Sequence, residues 1–277
     1  MPIAKVNGVE LNYRVDDLTL PWADKSKVKY ILTHHAYFRG LESLTGWVPI
    51  LAQHYRVVRF DSRGFGGSSA PPPPFEMTIP QLASDALGLM DHLGVERFHF
   101  LGMNSGGLAG QILAAEHPDR VESLTLCDTP HRLPDPVRAR LSLGMGSISG
   151  AIAQLGFKEW RKRTLDATLN PAKIDPRMTA WQVAQQEKVP LHINIAQQKS
   201  LEDSDSAALL PKIACPTLLL GGDRSEFMPM EMITFMLRQI PQARAKIYPN
   251  IGSTLGITHA GACAQDMYDF LREVDET

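Results

Sequence analysis

Cysteine is scarce in this chain: Cys127, Cys215 and Cys263 are the three in 277 residues. They stand far apart and show no metal-like pairing, so neither a disulfide framework nor a cysteine metal site is expected. Cys127 and Cys215 lie in or beside apolar strand-like runs, where a small buried thiol is inert. An excess of charge is also missing, since 28 Lys and Arg against 30 Asp and Glu leave a net charge of −2. That balance gives no electrostatic reason to expect a nucleic-acid or anionic-membrane partner. The short basic run Arg161-Lys162-Arg163 reads as a solvated helix face. No run of about eighteen apolar residues occurs, so no membrane span is expected. The opening MPIAKVNGVELNYRV alternates like a strand and lacks the layout of a signal peptide. These absences lead to the expectation of a cytoplasmic protein whose partner is a small molecule, with no metal or cofactor. Oligomeric state is not legible.

What is present is apolar residue in quantity, 44% of the chain, enough to bury one large α/β core with an insertion. Strand patterns fall at 3–7 and 10–15, in KYILTHH, in YRVVRF, in RFHFLG, in VESLTLCDTP, in CPTLLLGGD and in ARAKIYPN. Helical patterns fall between several of them, at 79–93, 105–117, 229–240 and 260–273. Strand alternating with helix predicts a mostly parallel sheet covered on both faces. Ligands of such sheets bind beyond the C-terminal strand ends. The alternation breaks between about 134 and 211, where Met, Ala, Gln and Leu recur at helical spacing. The organisation expected is a core of 1–133 and 212–277 carrying a helical cap over 134–211. Trp160 and Trp181 are expected in the interior of that cap. APPPPF at 70–75 reads as a stiff extended segment.

One stretch carries the layout of a turn that exposes a nucleophile: HFLGMNSGGLAGQ, residues 98–110. With RVVRFDSRGFGGSSAP, DALGLMDHLGVERFHFLG and AAEHPDRVESLTLCDT, it resembles the α/β-hydrolase fold over essentially the whole chain. Within that fold the chain looks most like the 3-oxoadipate enol-lactonases, which hydrolyse a small carboxylated enol-lactone. The resemblance implies a serine on a sharp strand-to-helix turn, a histidine base and an acid that orients the histidine.

Aligned on its glycines, the turn puts Gly102 and Gly106 at the two small positions and Asn104 at the apex. Asn tolerates the positive φ that an apex requires. The alternative register, with Ser105 as nucleophile, places the bulky Met103 at a small position. In the first register Ser105 falls where the family uses the backbone N–H for the oxyanion hole. The resemblance further implies the acid in GGDRSEFMP, where Ser225 stands at its position and Asp223 and Glu226 are displaced candidates. It implies the histidine in YPNIGSTLGITHAG, where Ser253 stands at its position and His259 follows six residues later. All three triad positions, Asn104, Ser225 and Ser253, therefore depart from the family.

The remaining candidates come from the loop THHAYFRG. His34 matches the family's structural histidine, His35 replaces its glycine, and Ala36 falls at the second oxyanion N–H. His35 is read either as a loop contact or as an acid–base group, and His259 as a surrogate base. His34, Tyr37, Arg39 and His131 are candidate ligand contacts, Arg39 through a substrate carboxylate. Asp61 and Arg63 belong to a framework loop; Asp128 ends a strand where some family members recruit their acid, but the resemblance to the lactonase-like group, in which CDT recurs as framework, implies a framework role for it. The expectation is an enzyme that acts on a small oxo-acid, lactone or ester-like compound by non-serine chemistry. The alternatives are a catalytically silent ligand-binding homologue and an ordinary hydrolase using Ser105 with His259 and Asp223 or Glu226.

Overall fold

A computed structural model describes residues 1–37, 40–168 and 175–276. The N-terminal hairpin runs from β1 (Ile3–Val6) into β2 (Val9–Asp16) through Asn7 and Gly8, at φ 48° and 76°. Those are the left-handed angles of a two-residue turn, which Asn-Gly supplies at least cost. Next come β3 (Tyr30–His34), β4 (Arg56–Phe60), β5 (Phe98–Met103), β6 (Val121–Cys127), β7 (Thr217–Gly222) and β8 (Ala243–Tyr248). They form an eight-stranded sheet in the order β1-β2-β4-β3-β5-β6-β7-β8. The pairs β1–β2 and β2–β4 are antiparallel, and every other pair is parallel. Strands β5 and β7 are buried along their whole length, as continuous apolar runs must be when helices cover both faces.

Helices α1 (Val48–Leu51), α2 (Ile79–His92) and α3 (Ser105–Glu116) precede β6. Between β6 and β7 lie α4 (Asp135–Leu141), α5 (Ile148–Leu155), α6 (Phe157–Thr168), α7 (Pro176–Gln186) and α8 (Leu191–Glu202). Helix α9 (Met230–Gln239) leads into β8, and α10 (Leu255–Thr258) and α11 (Ala260–Asp275) close the chain. The helical patterns read at 79–93, 105–117, 229–240 and 260–273 thus land within a few residues of α2, α3, α9 and α11. A 3-10 turn over Leu41–Trp47 and the short α1 carry no comparable sequence signal.

Local chemistry explains the helix starts. The Thr78 hydroxyl accepts from the Gln81 N–H at 3.2 Å, and Pro80 sits in the first turn of α2, satisfying or removing donors that a helix start leaves orphaned. Helix α2 then buries Ile79, Leu82, Ala83, Ala86, Leu89 and Met90 on one face. Helix α3 is buried from Ser105 to Ala114, and its run of Gly and Ala lets it approach β5 and β6 closely. Between β6 and β7 the described residues form helices and no strand. The buried Glu202 carboxylate at the end of α8 accepts from the N–H groups of Ile148 and Ser149 at 2.6 and 2.9 Å. An anion at a helix N-terminus is favourably placed, and this one ties α5 to α8.

A buried ion pair ties the loop after β4 to α2. Arg63 donates to both oxygens of Asp85 on α2, each at 2.6 Å, with side chains 4% and 1% exposed. Removing one partner leaves the other charge buried and uncompensated. Asp85→Ala should therefore lose about 3–5 kcal/mol of unfolding free energy, read from urea denaturation. A loss below about 1 kcal/mol would show that water reaches Arg63 once the carboxylate is gone.

Candidate functional site

The site begins where β5 ends. Asn104 sits between β5 and α3 at φ 48°, ψ −117°, a sparsely populated conformation that persists only when its surroundings enforce it. The enforcement is steric. A Cβ on Gly102 would overlap the Cα of Gly107, and one on Gly106 would overlap the backbone of His34 and His35. Asn104 is therefore the apex, as the glycine frame predicts. Ser105 is the first residue of α3, buried and absent from the wall of the adjoining cavity. Its N–H is not presented to a ligand, because it donates to the Oδ1 of Asn104 at 2.9 Å. The apex side chain thus caps its own helix and takes up one of the two N–H groups expected in the oxyanion hole.

The cavity over this turn has a volume of about 100 Å³. Asn104, Asp128, Ser253 and Ala36 line it from the sheet side, and Trp160, Arg161 and Gln198 from α6 and α8. At roughly 30 Å³ per water it holds about three solvent molecules. A larger cleft of about 710 Å³ lies along α8 and α3 and includes none of Asn104, Asp128 or Ser253.

Ser225 and Ser253 are joined by their hydroxyls. Ser225 Oγ donates to Asp128 Oδ1 at 2.5 Å and lies 3.1 Å from Ser253 Oγ, while the Met228 N–H donates to it at 3.1 Å. A hydroxyl carries one proton. With that proton given to Asp128, Ser225 accepts from Ser253, and the chain runs in one direction: Ser253 to Ser225 to Asp128. Asp128 itself is held at φ 49° directly after β6. The loop after β7 thus reaches a carboxylate at the end of the neighbouring strand. Asp223 and Glu226 are both solvent-exposed, and Glu226 pairs with Arg140 at 2.5 Å, so neither acts as a displaced acid.

The histidines do not gather here. His35 is buried with both ring nitrogens engaged: Nε2 accepts from the Ser62 N–H at 3.0 Å, and Nδ1 donates to the Ala36 carbonyl at 2.8 Å. It bridges two loops and is no acid–base group of the cavity. His259 lies at the start of α11 with Nδ1 on Thr258 Oγ1 at 2.9 Å, outside the cavity wall. His131 is buried against Phe235 and near Asp205, again away from the cavity. His34 packs edge-on to Phe60, and its Nδ1 donates to the His35 carbonyl at 3.1 Å. It is a loop support and not a ligand contact. Tyr37 does line the cavity; since Ser200 gives its proton to the Gln197 carbonyl, Tyr37 donates to Ser200 Oγ at 3.0 Å. Burial holds the Tyr37 hydroxyl well above its ordinary range, so it remains a neutral donor. Arg39 lies outside the described residues.

Framework readings hold elsewhere. Asp61 accepts from the Leu41 N–H, the Asn12 amide and the Gly67 N–H. Trp160 is buried and donates to the Leu141 carbonyl at 2.9 Å, while it also forms part of the cavity wall. Trp181 is half-buried. One reading is overturned: Arg161 is not a solvated surface cation but a buried one lining the cavity. The signal was present in the helical period, because Phe157, Trp160, Arg161 and Thr164 share one face of α6 and all four are buried.

Comparison with known proteins places the architecture. The family model for the alpha/beta hydrolase fold matches residues 29–260, and the chain belongs to that family. A fluoroacetate dehalogenase from Burkholderia sp is 38% identical over 117 residues, which span 41% of this chain and 38% of that enzyme. A 2-hydroxy-6-oxononadienedioate/2-hydroxy-6-oxononatrienedioate hydrolase from Cupriavidus pinatubonensis is 25% identical over 244 residues, 82% of each chain. The crystal structure of the enol-lactonase from Burkholderia xenovorans LB400 superimposes with a TM-score of 0.78 at 28% identity, covering 98% of this chain and 100% of that one. The likeness to enol-lactonases read from the sequence agrees with that match.

Complete burial, reinforced by the neighbouring His35, pushes His34 down from its ordinary value of 6.5 to about 3. The folded state keeps this ring neutral while the unfolded chain protonates it below about 6.5. Its contribution to stability is therefore complete above that pH and is lost as the pH falls from 6.5 toward 3. Urea midpoints at pH 7 and pH 5 should show a shallower acid dependence in His34→Gln, by about one proton. An unchanged slope would contradict the neutral buried ring.

Proposed function

We propose that this α/β-hydrolase-fold chain is an enzyme that acts on a small oxo-acid, lactone or ester-like compound without an acyl-serine intermediate, and that Asp128 is its base. The observation that carries this reading is the relay from Ser253, on the cavity wall, through Ser225 to the Asp128 carboxylate. A water held in the cavity gives its proton to Ser253 Oγ as Ser253 passes its own to Ser225 and Ser225 passes its own to Asp128. The hydroxide equivalent adds to the substrate carbonyl. Collapse of that adduct expels the alcohol or enol oxygen, which takes the proton back along the same chain. Carbonyl polarisation falls to the Asn104 amide, since Ser105 N–H is occupied. The activities of the relatives, lactone and dienedioate hydrolysis among them, support a carbonyl substrate. The three cysteines, all free and buried, favour a reducing compartment such as the cytoplasm.

A second reading has its own support. Asn104 closes onto Ser105 and no imidazole lines the cavity, an arrangement that suits a protein holding a small ligand without turning it over.

Asp128→Asn separates the two. Asparagine tolerates the φ of 49° and keeps the acceptor for Ser225, so the variant changes basicity and little else. Against a panel of small enol-lactones and esters, it should lose about 100-fold or more in kcat, with a smaller loss in Ser253→Ala. A serine-directed fluorophosphonate should leave the wild-type activity unchanged. Equal turnover by Asp128→Asn would remove the base, and phosphonate labelling of Ser105 would restore an ordinary serine hydrolase. No turnover by the wild type on any panel member, with ligand binding retained, favours the silent reading.

A further inference from the structure

The cavity is lined by charges of both signs, and only the negative one takes part in the relay. Among the described residues that line it, the ionisable carboxylate is Asp128 and the cation is Arg161, with no Lys or second Arg. Arg161 comes from α6 and is 9% exposed, and Gln198 comes from α8 and is 2% exposed. The Gln198 Nε2 is buried with no hydrogen-bond partner. A buried amide donor left without an acceptor costs the desolvation of that group, so the position calls for an acceptor that enters with a ligand. Arg161 lines the same cavity, and a guanidinium offers parallel donors in the fork geometry that matches a carboxylate. Trp160 and Leu201 wall the same side with apolar surface, which keeps water from competing for those donors.

From this arrangement we infer that Arg161 and Gln198 form an anchor for the carboxylate of a small oxo-acid or lactone acid. The inference rests on the proposed reading of the cavity as a substrate site, and it narrows the substrate class. With the carboxylate held by α6 and α8, the rest of the ligand extends toward Asn104, Ser253 and Asp128. The carboxylate end is kept from Asp128 by like charge, which fixes the orientation: the neutral carbonyl end meets the relay. The cavity volume of about 100 Å³ limits the ligand to a compact acid.

Binding without turnover tests this. Acetate and pyruvate are the probes, with acetamide as the neutral control of the same shape as acetate, and affinity is read from chemical-shift titration and thermal stabilisation. The wild type should bind both acids and prefer acetate to acetamide. Arg161→Met should weaken both acids about tenfold or more and leave acetamide unchanged, and Gln198→Leu should show a smaller loss of the same kind. If Arg161→Met does not fold, Arg161→Lys decides, since it keeps the charge but loses the paired donors; its acid affinity should fall below that of the wild type. Asp128→Asn should bind the acids as tightly as the wild type or more tightly, because a like charge is gone. Absence of acid binding by the wild type overturns the anchor, as does equal acid affinity in Arg161→Met or Arg161→Lys. Loss of acetamide in parallel with the acids does the same. Normal turnover by Asp128→Asn with this binding pattern intact would remove the base and leave the anchor standing.

Discussion

The tight crossing of β5 and α3 is the constraint on which the site depends. A side chain on Gly102 would displace the backbone of Gly107, and one on Gly107 would overlap the side chain of Thr129. The chain reverses between the two glycines at Asn104, in a conformation of φ 48° and ψ −117°. That reversal directs α3 along the sheet and brings its N-terminus to the strand ends. It also places Asn104 between the cavity and the first N–H of the helix. A serine at an apex has one short hydroxyl to present. An asparagine has an amide long enough to fold back, and here its oxygen satisfies the Ser105 N–H. An asparagine at this apex caps the first N–H of its own helix by the same geometry.

Ser225 and Ser253 are linked to each other. The hydrogen bond between them continues to Asp128 at 2.5 Å, so a carboxylate is joined to Ser253 on the cavity wall. Asp128 follows β6, the strand that pairs with β5 and so lies beside the turn. Asp128 reaches this position through a left-handed φ of 49°, a conformation to which Asp is better suited than most residues. Polar groups this deeply buried persist when each proton has a destination, and the one-way order of the hydroxyls provides it.

Legibility in the sequence followed the kind of force involved. The strands and the long helices α2, α3, α9 and α11 were readable because burial imposes a period on apolar residues. The apex was readable because glycine spacing reports a steric requirement, independent of what stands between the glycines. The turn at Leu41–Trp47 and the short α1 were not, since a few residues carry too little periodicity. Histidine misled: His35 and His259 had suitable chemistry and suitable neighbours in sequence, but His35 spends both nitrogens on loop backbone and His259 stands at the start of α11. Arg161 misled in the opposite direction, because a run of three basic residues looks solvated until the helix is wound and one of them turns inward.

By itself, the sequence determined the architecture and the apex residue. Each of these depends on local spacing, on steric size or on residue identity, which a chain carries along its length. Only the tertiary structure decided which polar groups share the cavity. Asp128 lies 97 residues from Ser225, whose hydroxyl it accepts, and Arg161 and Gln198 come from different helices to one wall. Partners that distant in sequence are chosen by the packing of strands and helices against one another, and no local pattern records that choice.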